Sequence, residues 1–175
     1  MKRLATYAAV LVSLATWGCS DKTPTNPAAL KPTFTATLLP ANEVPAITNA
    51  EASGRGEATI TFDVTRDGAG NITSGTASFT VNLTGFPAGT PFNIAHIHTG
   101  AAGTTGSIVF STSLVAGEVV ANASGAATFT KTGIAPPDPA ILQQIVNNPA
   151  GFYFNVHSTL NPGGVARGQL VKTAG

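Results

Sequence analysis

The chain holds three histidines, His96, His98 and His157, and these are the residues whose type and spacing most suggest chemistry. The first two stand at i and i+2 in "NIAHIHTG". On an extended strand alternate side chains share a face, so both imidazoles project from one side with Cα atoms about 6.5–7 Å apart. That separation lets two rings converge on one metal ion. The third, His157, lies far downstream in "GFYFNVHS", where Phe152, Phe154 and Val156 make an apolar face and Tyr153, Asn155 and His157 a polar one. Three neutral imidazoles suit Cu(II), Zn or Ni, and copper leads these for raw affinity. Three protein donors leave a further position open to water. The plain alternative is structural: each ring hydrogen-bonds to backbone and neighbouring loops. On regular alternation the face of His96 and His98 also carries Phe92 and Ile94, so it is not cleanly polar. Spacing alone does not bring His157 to the pair.

Other polar residues have two readings each. Arg167 sits in "GGVARGQL", as an anion-attracting guanidinium beside the histidines or as a bridge to a loop carboxylate such as Glu43 in "PANEVPA". Tyr153 places its hydroxyl near the site or covers a sheet edge. The glycine-rich "TGAAGTTGS" is no phosphate loop, because no lysine follows and no helix begins there. No G-x-S-x-G nucleophile motif is present, and no acidic residue accompanies the histidines in sequence. The pattern suggests binding, not enzymatic turnover.

The elements that must position these residues are mostly strands. "TFTATLLP", "GEATITFDV" and "GTASFTVNL" alternate apolar and polar residues. "DGAGN" is a turn between the second and third. "PFNIAHIH", "SIVFSTSL", "EVVANA", "AATFTKT", "GFYFNVHS" and "VARGQLVK" continue the series, with "SGA" as a hairpin connection. One segment differs. In "PPDPAILQQIVNNPAG", Asp138 is a good N-cap, Pro139 suits the first turn, and Ile141, Leu142, Ile145 and Val146 fall at helical spacing. About eight strands with one short helix predict an all-β, Greek-key antiparallel sandwich.

The chain has 175 residues, one domain's worth or slightly more, and only 10% are charged. Its N-terminus reads as an export signal: Lys2 and Arg3, then the apolar run "LATYAAVLVSLATWG". That run is short for a membrane-spanning helix. It ends at Cys19, the only cysteine, which therefore has no internal disulfide partner. The arrangement resembles a bacterial lipoprotein signal with Cys19 lipidated, although Thr16 and Trp17 depart from the usual residues there. Residues 20–32 are polar and proline-bearing and read as a tether. The folded domain is expected over residues 33–173. Without Lys2 and Arg3, nine basic residues become seven against eight acidic ones. No basic patch exists to track a phosphate backbone, which argues against nucleic acid as a partner.

"NIAHIHTGAAGTTGSIVFSTSL" and "FYFNVHSTLNPGGVARGQL", with the opening "FTATLLPANEVPAITNAEASGRGEATITFD", resemble the CHRD domain. That module is repeated in chordin and occurs alone in many bacterial exported proteins. The likeness runs from about Phe34 to Leu170, and it implies an immunoglobulin-like β fold. Copper–zinc superoxide dismutase is also similar in its H-x-H strand, later V-H strand and arginine before the final strand. Carried over by position, that likeness makes His96, His98 and His157 copper ligands and sets Arg167 beside them. No further histidine remains to bridge a second metal. The resulting expectation is a lipid-anchored cell-envelope protein binding a copper-type ion through His96, His98 and His157. Glu43, Tyr153 and Arg167 would surround that site. The alternative is an envelope interaction or scaffold module with structural histidines.

Overall fold

In the computed structural model, residues 31–175 are described. The expected signal segment 1–19 with Cys19, and residues 20–30 of the expected tether, lie outside them. The described chain forms ten strands and one α-helix. The strands are β1 (Thr33–Leu38), β2 (Arg55–Arg66), β3 (Ile72–Thr84), β4 (Pro91–Thr99), β5 (Ile108–Ser111), β6 (Val119–Val120), β7 (Ala127–Ile134), β8 (Phe152–Ser158), β9 (Ala166–Gln169) and β10 (Val171–Ala174). The helix α1 is Ala140–Asn147. One sheet runs β10-β1-β2-β3-β7; the other runs β5-β4-β8-β9, with β6 also on β4. All pairings are antiparallel. The expected all-β sandwich is what the chain forms.

Between the sheets the alternating apolar residues meet. Phe34, Phe62, Phe79, Phe92, Phe110 and Phe154 are fully buried there. Phe79 links the two layers, with its ring 5.4 Å from Phe110 and 6.0 Å from Phe154. Burying an aromatic or aliphatic side chain of this size contributes roughly 1.5–3 kcal/mol each. The helix adds Ile141, Leu142 and Ile145 to the same core. It begins at Ala140, with Pro139 in the N-cap place and Asp138 Oδ1 accepting the Ala140 amide.

Three local expectations need correction. Phe92 does not share the histidine face. The β4–β8 register shifts between Phe92 and Ile94, and such an irregularity reverses the inside–outside phase of a strand. Phe92 thus packs inward on Phe86, with Ala95 and Ile97 following, while Ile94, His96 and His98 turn outward. "VARGQLVK" is not one strand. It breaks at the buried Leu170, so β9 pairs with β8 in one sheet and β10 with β1 in the other. "EVVANA" shrinks to Val119–Val120. The Asn122 side chain there accepts amides from Ser124 and Ala126 and draws the chain into a turn. At the other end, Pro32 already joins the sheet, its carbonyl accepting the Phe62 amide. Among the described residues, no helix is long and apolar enough to cross a membrane.

Candidate metal centre

Strands β4 and β8 lie side by side within their sheet. His96 faces Asn155, His98 faces Tyr153, and Ile94 faces His157 across the ladder. Strand β9 continues the row by setting Arg167 opposite Asn155. The face of this sheet turned away from the core therefore carries His96, His98, Tyr153, Asn155, His157 and Arg167 together. All six are buried. A sheet face that points outward is buried only if something covers it, and here the cover is loops. Pro162, Gly106, Thr104 and Asn42 all lend backbone carbonyls to side chains of this face.

Those carbonyls decide how the imidazoles are presented. His98 Nδ1 lies 3.1 Å from Gly106 O, and His157 Nδ1 lies 2.9 Å from Pro162 O. A carbonyl only accepts, so each Nδ1 carries the proton and donates. In a neutral ring the lone pair is then left on Nε2. Both Nε2 atoms are buried without a hydrogen-bond partner, as is His96 Nδ1. One ligand atom from each of the three rings lies within 4.8 Å of the others. A ring that donates one N–H to a carbonyl and aims its other nitrogen at a common point has the arrangement of a metal-bound histidine. Two nitrogens bound to one ion at the usual 2.0–2.1 Å stand at most about 4.2 Å apart. The rings need only small movements to reach that geometry.

The electrostatics favour the deprotonated, ligating state. Burial pushes His96 down to about 4, with the neighbouring charges of His157 and His98 acting the same way. Burial also lowers His98, against the Gly106 hydrogen bond, with smaller contributions from His157 and Arg167. His157 is lowered by burial against its bond to Pro162. At neutral pH all three rings are free bases, which is the form a metal ion requires.

The other expected residues take definite places. Tyr153 stacks on His98, with centroids 4.8 Å apart and planes 7° from parallel. The Arg167 guanidinium lies 4.6 Å from the same tyrosine ring. Arg167 pairs with Glu43 at long range, with its Nε 3.9 Å from Glu43 Oε2. Its short contacts are to backbone, Nε to Asn42 O at 2.6 Å and Nη1 to Thr104 O at 2.9 Å. Arg167 thus ties two covering loops together over the sheet. Glu43 is buried beside it and raised to about 7 by that burial, opposed by the charge of Arg167 and the amide of Asn155. Gly164 closes this corner. A Cβ there would meet Asn155 and Glu43 at under 3 Å, and its φ of +132° also requires glycine.

Sequence reasoning brought out the three histidines, Arg167, Glu43 and Tyr153, and the structure gathers all of them here. It passed over Asn155, which sits directly between His96 and Arg167. The signal was available, since Asn155 alternates with Tyr153 and His157 on the polar side of its strand. The Gly106 and Pro162 carbonyls left no sequence signal, because any residue offers one.

Residues 34–170 match the family model for the CHRD domain. That match covers most of the chain and includes every residue of the site. The chain belongs to the CHRD family. A search of curated proteins finds no match to it. Within this CHRD domain, residues that could hold a metal ion stand on two adjacent strands, and loops from three parts of the chain orient and cover them.

Proposed function

We propose that this CHRD-domain protein is a metal-binding protein of the cell envelope, holding a copper-type ion on His96 Nδ1, His98 Nε2 and His157 Nε2. One observation carries the reading: the three rings each bring a ligand atom within 4.8 Å of the others, and each ring has a buried nitrogen without a hydrogen-bond partner. A buried polar atom left unpaired costs about 1–3 kcal/mol, and three together call for a common occupant. The donor set, all imidazole with neutral rings, suits copper, zinc or nickel, with copper first by affinity. Arg167, Tyr153 and the covering loops hold the donors and exclude water. The role assigned to the site in this reading is binding.

The apolar segment after Lys2 and Arg3, ending at Cys19, supports export and lipid attachment at that cysteine, with the tether holding the domain off the membrane. Three experiments test the whole. Protein purified without an affinity tag should carry close to one copper-type ion per chain. The variant His98→Ala should bind copper at least tenfold more weakly by titration calorimetry, and full affinity in it would remove the metal site. The domain would then be an envelope interaction module with structural histidines. Radiolabelled palmitate incorporation that is lost in Cys19→Ala checks the anchor.

A further inference from the structure

If the three histidines hold a metal, their surroundings also specify its charge. None of the three donor atoms belongs to a carboxylate or thiolate. Each is a neutral nitrogen in a buried side chain. The fixed charge that stacks into the site is positive: the Arg167 guanidinium, over the Tyr153 ring that itself lies on His98. Glu43, the carboxylate paired with this arginine, contributes no donor to the cluster. Any negative charge it carries is offset by Arg167, so the pair brings no net negative charge. Asn155, facing His96 across the ladder, is an amide where a carboxylate of the same shape would fit.

The cost of burying an ion rises with the square of its charge, so a divalent ion loses about four times as much hydration energy as a monovalent one. Anionic ligands offset part of that cost in many divalent sites, and this one has none. Coordination preference points the same way. Cu(II) favours four or more ligands in a tetragonal arrangement. Cu(I) has a filled d shell, imposes no such geometry, and is satisfied by three nitrogens. Zn shares the filled shell but is divalent.

We infer that the three-histidine centre selects monovalent copper, Cu(I), over Cu(II) and over Zn(II). This rests on the metal-binding reading above and sharpens it. The domain is then a cuprous-ion carrier or store, with the donor atoms buried beneath the covering loops.

The test compares three ions on the full domain. Cu(I) is titrated anaerobically against bicinchoninate, and Cu(II) and Zn(II) against competing chelators of known affinity. The expected result is Cu(I) bound at least a hundredfold more tightly than Cu(II), which lifts the copper reduction potential by about 120 mV above that of the free ion. Zn(II) should be weaker still. Cu(II) or Zn(II) bound as tightly as Cu(I) overturns the inference and leaves the metal site standing. Binding of none of the three removes the site itself. The variant Asn155→Asp provides an independent check that keeps the side-chain shape. Adding a negative charge beside His96 should move the preference toward Cu(II) by tenfold or more, and an unchanged ratio in the folded variant overturns the charge argument.

Discussion

Two glutamates are buried in loops around the same sheet, and they are treated in opposite ways. Glu51 is 3% exposed, and its Oε2 accepts from both Ser158 Oγ and Asn161 Nδ2. Its backbone amide in turn donates to Asn49, whose amide donates to Asn161. Around Glu51 the polar groups are paired. Glu43, 8% exposed, leaves Oε1 without a partner. Its neighbours share that condition. The buried side-chain atoms lacking a partner among the described residues are Glu43 Oε1, His96 Nδ1, His98 Nε2, Asn155 Oδ1, His157 Nε2 and Arg167 Nη2. All belong to the one face of β4, β8 and β9, or to the loop against it. A chain that completes its polar network around Glu51 is capable of doing so around Glu43. Concentrating the shortfall in one place fits the proposed metal site better than loose packing. The satisfied network also serves the unsatisfied one. Through Asn161 and Ser158 it pins the loop whose Pro162 carbonyl orients His157.

Acid should separate the two regions most. A histidine held low contributes stability that is complete above its unfolded value near 6.5 and is lost as pH falls toward the folded value. For His96, falling from 6.5 to about 4, this amounts to about 3 kcal/mol. His98 and His157 act in the same direction. Glu43 acts oppositely: its stability contribution is complete below 4.5 and is lost as pH rises toward 7. Glu43→Gln removes that opposing slope. Between pH 7 and 4.5 the metal-free variant should lose about 3 kcal/mol relative to the wild type, measured by urea unfolding. Parallel pH profiles would show that the two proteins do not differ in this way.

Next in size is Glu51→Ala, which takes the acceptor from the buried Ser158 hydroxyl and one of two acceptors from the Asn161 amide, and should destabilise by about 2 kcal/mol. Through the Pro162 loop it should also weaken metal binding, by less than tenfold. The smallest effect expected is His98→Ala on metal-free stability. Removing the ring loses its stack on Tyr153 and its bond to Gly106 but also removes a buried unpaired nitrogen, so the unfolding free energy should change by about 1 kcal/mol. A loss comparable to that of Glu51→Ala would mean that His98 serves the fold, as Glu51 does.

The sandwich was legible because alternation is a local property. "TFTATL", "EATITFDV" and "TASFTVNL" each state which residues face in. Phe92 was misplaced because a register shift changes that phase without changing any residue type. Leu170 concealed a switch between sheets for the same reason: the break is a matter of partners, not of composition. At the site, His96 and His98 declared their shared face through spacing, whereas His157 reached them only through strand pairing. Glu51 gave no signal, since "NAEASG" has no period and its partners at Ser158 and Asn161 are remote in sequence.

X-ray absorption at the copper edge of the loaded, tag-free domain bears on the site most directly. Three imidazole nitrogens at about 2.0 Å should surround one ion per chain, and their signature should vanish when His96, His98 and His157 are replaced together. A copper spectrum unchanged in that triple variant, or dominated by oxygen donors in the wild type, would place the ion elsewhere and contradict the site.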